Sequence, residues 1–368
     1  MADAHSIPYF EKEALVAVMR RMDARDNLRP LLRLFPRQAH EGDLIKVRKH
    51  KRRPGQVRHT SIGGRAMPVR RGSLDEIEYR GTNLKLWDYI TEPDFELFAR
   101  AEDAITSDRP TPSGAAALAR ANRRIEEIAQ NLRDDNAEER HRLMCGALQG
   151  SISYYVGGDT TPRTESYGLT SLTAPGTDWS AVGATIVSDI MGWYEEFQGN
   201  NTLGLAPNVV FYNPLATRIY LQKNTEFQTW KKQNEGQVLG FFGLAGGNRE
   251  FDFLGHIKEL MGLRWIPIEG TYQNLSDTAT TRWATDKLVF AHVSMEAAAD
   301  AFEMGGGNGF YEWGMNLRAL SNPTADVHIE VKMPEVGDDV KVAKVTSFDN
   351  GLPVLLEPEL VQPVDVVA

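Results

Sequence analysis

The strongest constraint on the fold is one long segment of a single charge. Between Ile45 and Ser73 the sequence holds ten Lys and Arg residues and no Asp or Glu. The whole chain has 41 basic and 50 acidic residues, so the rest of the chain is strongly anionic. Such a separation usually means that the cationic piece meets an acidic partner. The ten basic residues are Lys46, Arg48, Lys49, Lys51, Arg52, Arg53, Arg58, Arg65, Arg70 and Arg71.

The same segment contains the residue types that reverse a chain. Its glycines and prolines predict a two-stranded hairpin over 45–73, with the reversal near Gly63 and Gly64. A two-stranded hairpin is marginally stable in water, so a long and highly charged one needs a partner surface. That surface is either nucleic acid or the acidic body of another copy of the chain.

The residues of the hairpin favour another copy of the chain as the partner. The segment 45–73 has no Phe, Tyr or Trp on which a base could stack, and the acidic body would repel a polyanion. A basic hairpin that lies on the acidic body of a neighbouring copy would explain both the positive charge of the segment and the negative charge of the rest of the chain. Nucleic-acid binding through the hairpin stays open as the alternative.

Length and composition set the class of protein. A chain of 368 residues with 42% apolar and 25% charged residues predicts two to three globular domains with a sizeable core. No stretch approaches the roughly 20 apolar residues of a membrane span, and the N-terminus shows no secretory signal. Cys145 is the only cysteine, which excludes an intrachain disulfide and fits a reducing cytosol.

The rest of the chain divides by its patterns. Three-four spacing of apolar residues predicts one long helix from Ser113 to about Gln149. A mixed α/β region follows, with helices at 181–197 and 251–261, strands at 208–212, 263–268 and 287–293, and glycine-rich loops. The tail predicts three strands, beginning near Val327, Val340 and Pro353, with a turn at Asp349-Asn350-Gly351.

No set of residues converges on catalysis. The eight histidines are scattered, no HExxH occurs, and the glycine-rich stretches lack the setting of a nucleotide-binding fingerprint. Cys145 reads as a buried small hydrophobe. The acidic cluster on the long helix reads as a solvated helix face paired with nearby arginines, although a cation site is possible in principle. The sequence therefore predicts no enzyme, no cofactor and no metal. The cluster comprises Asp134, Asp135, Glu138 and Glu139.

The order of these parts resembles tailed-phage major capsid proteins with the HK97-like α+β fold, and within them the lambda-type major capsid protein E family. The resemblance covers nearly the whole chain. It rests on five stretches: Asp43-Leu44-Ile45 through Arg80-Gly81 to Trp87–Thr91; Glu138–Gly150; Pro207–Phe211; Gly262–Pro267 with Tyr272 and Asp286–Val289; and Trp313, Arg318 and Asn322-Pro323 followed by strands to Leu356.

The resemblance implies a division of the chain. Residues 1–40 would form an N-terminal arm, and 41–85 an extended loop laid over an adjacent subunit. Residues 86–169 and 313–368 would form a peripheral domain with a spine helix and a β-meander, and 170–312 an axial domain. The protein would assemble into hexamers and pentamers of an icosahedral shell around double-stranded DNA. An encapsulin-type cargo shell shares the fold and is a further alternative.

The resemblance also implies partners. The chief partner would be other copies of the chain, with the ten basic residues as inter-subunit contacts. The short arm leaves no room for a fused scaffold, so we expect a separate scaffold protein. A portal, and in some relatives a decoration protein, would join the shell, with packaged DNA contacted non-specifically. The subunit would assemble in the host bacterial cytoplasm and reside in the virion.

Overall fold

The protein is described from a computed structural model. The described residues are 29–40, 45–50, 74–79, 82–90, 112–155, 161–233, 259–260, 262–273, 278–293, 311–316, 328–332 and 343–367. The short helical pattern that the sequence shows at residues 12–22, the predicted reversal at Gly63-Gly64 and both glycine-rich loops lie outside these residues.

The described residues form both α-helices and β-strands. The helices are α1 Arg29–Leu34, α2 Pro112–Gln149, α3 Ile186–Asn200, α4 Pro214–Lys223 and α5 Thr225–Gln233. The strands of the first half are β1 Arg37–His40, β2 Ile45–His50, β3 Leu74–Tyr79, β4 Thr82–Ile90, β5 Ser151–Tyr154, β6 Arg163–Ser166 and β7 Val209–Tyr212. Those of the second half are β8 Glu259–Leu260, β9 Leu263–Pro267, β10 Thr271–Gln273, β11 Ala279–Thr281, β12 Lys287–Ala291, β13 Tyr311–Asn316, β14 His328–Lys332, β15 Ala343–Leu355 and β16 Val361–Asp365.

Helix α2 confirms the predicted long helix and runs for 38 residues. Pro112 occupies the first helical position, where its missing N–H costs nothing, and Gly150 follows the end with a φ of 107°. Midway along the helix Asn136 is buried and donates its side-chain amide to the Leu132 carbonyl at 2.8 Å. Beyond this point Leu143, Met144, Ala147 and Leu148 are fully packed.

A five-stranded sheet with the order β16-β12-β7-β9-β8 lies at the centre of the body. Successive side chains of a strand point to opposite faces of the sheet, and this sheet has apolar side chains on both faces. Val209 and Phe211 of β7 belong to one core with the end of α2, whereas Val210 and Tyr212 belong to a second core with α3. The sheet is therefore buried between two layers of its own chain.

A second sheet joins distant parts of the sequence. It has the order β1-β13-β15-β14, and β4 pairs along β15. The predicted turn at Asp349-Asn350-Gly351 is wrong, since β15 runs through it without reversing. Residues Ala343–Gly351 pair with β4, and Leu352–Leu355 pair with β13, so the Asn-Gly pair marks an exchange of partner strand.

Most other predicted elements of the body are confirmed. Helix α3 matches the helix expected at 181–197, and β7, β9, β12 and β14 lie where the strands were expected. The helix expected at 251–261 meets a strand at its end, because β8 occupies 259–260, and the rest of it lies outside the described residues. Strand β16, from the segment assigned to the peripheral domain, pairs with β12 from the segment assigned to the axial domain.

Candidate interaction site

The base of the predicted basic hairpin is present as an antiparallel pair of strands. Strand β2 carries Lys46, Arg48 and Lys49, and β3 brings the acidic residues of the sequence Leu74–Tyr79 beside it. The register places Lys46 opposite Glu78, Arg48 opposite Glu76, and Lys49 opposite Asp75. Opposite charges at directly facing positions stabilise a strand pair by roughly 0.2–1 kcal/mol each.

Three of the six register positions therefore pair a basic with an acidic residue. At the other three, Ile45 lies opposite Tyr79, Val47 opposite Ile77 and His50 opposite Leu74. Three basic and three acidic residues therefore balance at the base, and the surplus positive charge of the hairpin lies further along the chain.

That surplus belongs to seven of the predicted site residues, all outside the described part of the chain. The segment 51–73 contains no acidic residue, so its formal charge is that of its basic residues alone. The seven are Lys51, Arg52, Arg53, Arg58, Arg65, Arg70 and Arg71.

Two segments of the body have acidic residues and no basic ones. From Thr164 to Thr217 the chain has five acidic residues and no Lys or Arg, and from Val345 to Val367 it has four acidic residues and again no Lys or Arg. We call these two segments together the acidic body segments. The nine carboxylates are Glu165, Asp178, Asp189, Glu195, Glu196, Asp349, Glu357, Glu359 and Asp365.

The acidic body segments pack against each other. The backbone N–H of Leu172 donates to Pro363 O at 2.9 Å, and that of Trp179 donates to Val366 O at 2.9 Å. Glu359 accepts from both the backbone N–H and the hydroxyl of Thr202, at 2.9 and 2.7 Å. Lys287 supplies one cation from a neighbouring strand, 3.2 Å from Asp365.

Two of these carboxylates are fixed by neutral donors. Glu196 accepts from the Thr173 backbone N–H at 3.1 Å and from its hydroxyl at 2.9 Å. Asp189 accepts from the indole of Trp179 at 3.0 Å and the hydroxyl of Thr185 at 3.1 Å, and burial raises its pKa despite both bonds. Both carboxyl groups are therefore held in place by hydrogen bonds from neutral groups.

The acidic cluster on α2 departs in part from the predicted solvated face. Glu139 pairs with Arg142 one turn later, with the Nη2–Oε1 distance at 2.5 Å, as expected. Glu138 instead forms a two-pronged ion pair with Arg282, which follows β11, and its Oε2–Nη2 distance is 2.7 Å. Arg282 also donates to Glu269 O at 3.1 Å, and its side chain is only 8% exposed.

Two buried groups lie along the same face of α2. Burial, together with the positive charge of Arg282, lowers the pKa of His141 to about 3, so the ring is neutral at physiological pH. Burial also raises the pKa of the Cys145 thiol, whose Sγ is 3.8 Å from His141 Nδ1. Cys145 is fully buried, which confirms the prediction of a small core residue. A thiol held in this protonated form is a poor nucleophile.

The described residues contain no group of three or more His, Cys, Asp or Glu side chains placed to hold a metal ion. Within the same residues, no helix has both the length and the apolar character that crossing a membrane requires.

Comparison with solved structures defines the class of fold. A protein described as the capsid protein of a prophage of Escherichia coli CFT073 has a TM-score of 0.58 and 13% identity, covering 97% of this chain and 99% of that chain. The capsid of a native GTA particle matches with a TM-score of 0.45 and 11% identity, covering 95% and 93%. The SrpI encapsulin of Synechococcus elongatus PCC 7942 matches at 0.43 and 11% identity, covering 96% and 95%. The chain has the HK97-like capsid fold, and the two scores below 0.5 add nothing to that assignment.

The sequence itself gives the family. The model of the phage major capsid protein E family matches residues 13–304. No curated protein matches the chain. The chain belongs to the phage major capsid protein E family, and its role is that of a capsid component.

Proposed function

We propose that the protein self-assembles into hexamers and pentamers of an icosahedral shell that encloses double-stranded phage DNA. The observation that carries the proposal is the division of charge described above. Basic and acidic residues are equal in number at the hairpin base, the segment 51–73 has seven basic residues and no acidic one, and the acidic body segments have nine carboxylates and no Lys or Arg.

This division favours a contact between copies. Strands β2 and β3 pair only with each other among the described strands, and a two-stranded ribbon needs further support. In a ring of identical subunits each copy offers one cationic loop and one anionic body, so one kind of contact, repeated by rotation, serves every subunit. Charge complementarity of this sort sets register and association rate more than bare affinity.

The proposed division of labour follows the sequence. Residues 1–40 act as the arm, 41–85 as the extended loop, 86–169 with 313–368 as the peripheral domain, and 170–312 as the axial domain. The pairing of β16 with β12 ties the last two domains into one sheet. A subunit of this kind transmits load from neighbour to neighbour through a continuous framework.

The partners follow from the role. The subunit binds other copies of itself and a separate scaffold protein, and the shell contains a portal. A decoration protein on the outer surface would be an additional partner, and packaged DNA is contacted without sequence preference. The particle assembles in the host cytoplasm and the protein resides in the virion.

The proposal is tested by imaging the purified protein, with and without its scaffold, by negative-stain microscopy and light scattering. Closed shells are the expected result, and particles isolated from infected cells should contain nuclease-resistant DNA. Particles filled with an enzyme cargo would indicate an encapsulin-type compartment instead. A protein that remains monomeric with its scaffold, and binds DNA with a steep salt dependence, would favour the nucleic-acid alternative.

The role of the loop charges needs its own variants. Reversing Arg52, Arg53, Arg70 and Arg71 to Glu is expected to reduce particle yield at least tenfold while the subunit keeps its thermal unfolding midpoint. The matched control replaces the same four residues by Lys, which keeps the charge, and should assemble nearly as the natural protein does. An unchanged yield in the Glu variant would show that the loop charges are incidental.

A further inference from the structure

The most exposed apolar side chains on helix α3 lie at an open pocket. Met191 is 60% exposed and Tyr194 is 38% exposed, although both are large apolar residues on the helix that covers the central sheet. The pocket has a volume of about 300 Å³. It is lined by Ile190, Met191, Tyr194 and Glu195 of α3, Trp230 of α5 and Leu263 of β9.

The walls of this pocket are fixed by the core beneath them. Ile190 and Leu263 are almost fully buried, and both belong to the core between α3 and the sheet. Trp230 is half-buried and stacks on Phe227 with the ring centroids 5.9 Å apart. The concavity is therefore preformed, and an apolar side chain entering it would remove Met191 and Tyr194 from water.

The chain contains a segment with the matching chemistry, and that segment is connected to the pocket rim. Trp230 lies in the last turn of α5, and Leu263 is the first residue of β9. Between the end of α5 at Gln233 and the start of β8 at Glu259 the sequence contains Val238-Leu239-Gly240-Phe241-Phe242-Gly243-Leu244. Five of these seven residues are large and apolar, and no charged residue interrupts them.

We propose that the segment Val238–Leu244 of one subunit inserts into the α3–α5 pocket of the adjacent subunit in the same ring. This inference rests on the proposed function, because it needs a neighbouring copy. Each subunit has one pocket and one apolar segment, which is the head-to-tail arrangement that closes into a ring. An extended chain spans about 3.3 Å per residue, so Phe241 can reach about 25 Å beyond the end of α5, far enough to enter a neighbour.

The contact would work as a hot spot beside the charged loop contact. The aromatic pair Phe241-Phe242 supplies the anchor, and Met191 and Tyr194 supply the adaptable wall, which is the usual composition of the buried centre of an interface. Glu195 lies at the same pocket and gives it one polar group. Apolar anchoring at the α3–α5 pocket and charge matching at the loop would then fix two separate points of each subunit.

Disulfide trapping tests the contact directly, because a disulfide forms only where two Cα atoms lie within about 7 Å. The natural Cys145 is kept, since it is fully buried and its raised pKa keeps it protonated. One chain has Met191→Cys and a differently tagged chain has Phe241→Cys, and the two are co-assembled and oxidised. A covalent heterodimer at least tenfold above the pair Val182→Cys with Phe241→Cys is expected, because Val182 is 74% exposed but lies outside the pocket lining.

Two outcomes would overturn the inference. A chain carrying both Met191→Cys and Phe241→Cys that forms only an internal bridge, with no heterodimer in the mixture, would place the segment in its own pocket. Well-formed particles with no bridge of either kind would leave the pocket without this occupant. These outcomes are distinct from failure of the proposed function, in which the natural protein itself forms no particles and the inference falls with it.

A second readout uses assembly alone. Met191→Asp places a charge in the pocket and is expected to reduce particle yield at least tenfold, whereas Val182→Asp should leave the yield within twofold of the natural protein. Equal yields for the two variants would contradict the inference, since the surface would then tolerate a charge at either position.

Discussion

The central sheet and the β2–β3 hairpin are both built from paired strands, but the sheet is stabilised by apolar burial and the hairpin has facing charges. The sheet β16-β12-β7-β9-β8 is apolar on both faces and is covered by α2 on one side and α3 on the other. The hairpin has two strands, and three of its six register positions pair a basic with an acidic residue. The first region is buried within its own chain, whereas we propose that the second rests on the surface of another copy.

The largest expected effect lies in the sheet. Phe290 is fully buried and meets the ring of Trp193 edge-on, with the centroids 5.8 Å apart. Phe290→Ala should lower the free energy of unfolding by about 3–5 kcal/mol, because it leaves a cavity between α3 and the sheet. Chemical denaturation of the purified subunit measures the loss. Val182→Ala, at an exposed position, serves as the control and should change little, and an equal loss for both would contradict a core at Phe290.

A smaller effect is expected at the tie between the long helix and the sheet region. Glu138→Gln removes the charge that faces Arg282, so it should cost about 2–3 kcal/mol of unfolding free energy. The adjacent change Glu139→Gln breaks only a local pair with Arg142 and should cost about 0.5 kcal/mol. Equal costs, measured by denaturation, would show that the long-range pair adds no more than the local one.

The pH dependence of the unfolding free energy tests the burial of His141 on the long helix. The pKa of His141 is about 3 in the folded protein and near 6.5 when unfolded, so protons bind the unfolded state more readily. The stabilisation is complete above the unfolded pKa and is lost as the pH falls from about 6.5 toward 3. Lowering the pH from 7 to 5 should therefore cost about 2 kcal/mol through this group.

His141→Leu provides the comparison for that measurement. Because leucine does not titrate, the variant should lose about 2 kcal/mol less than the natural protein between pH 7 and pH 5. Thermal or chemical unfolding at both pH values gives the two differences. Identical pH profiles for the two proteins would mean that His141 already titrates normally in the folded state.

The smallest effect is expected at the hairpin base. Lys46→Glu and Arg48→Glu place like charges opposite Glu78 and Glu76, which should weaken the ribbon by about 1 kcal/mol in total. Hydrogen exchange of the β2 amides should accelerate accordingly. The exchanged pairs, with Lys46→Glu beside Glu78→Lys and Arg48→Glu beside Glu76→Arg, should restore protection. Failure of the exchanged pairs to restore it would separate the ribbon's stability from its cross-strand charges.

The same contrast explains which features could be predicted from the sequence. The long helix and the strands β7, β9 and β12 could be predicted from local apolar patterns. An element that is buried within its own chain has apolar residues spaced at the period of a helix or strand, or in a short continuous run. The reversal expected at Asp349-Asn350-Gly351 was wrong because a long partner strand, β4, pairs through it, and no local pattern reports a partner so distant in sequence. The Glu138–Arg282 pair was missed for the same reason.

The candidate site was predictable only in part. The ten basic residues stand out by composition, but their acidic counterparts in β3 follow immediately in the sequence and were not recognised as strand partners. The acidic body segments could have been found by scanning for long stretches without Lys or Arg, such as Thr164–Thr217. The pocket on α3 left no such signal, since Met191 and Tyr194 follow the same periodicity as core residues.

An electron cryomicroscopy map of the assembled particle, at a resolution that traces the chain, tests the central claim most directly. We expect residues 51–73 of each subunit to lie on the anionic surface of an adjoining one. A map in which that segment folds against its own subunit, without touching another, would contradict the account.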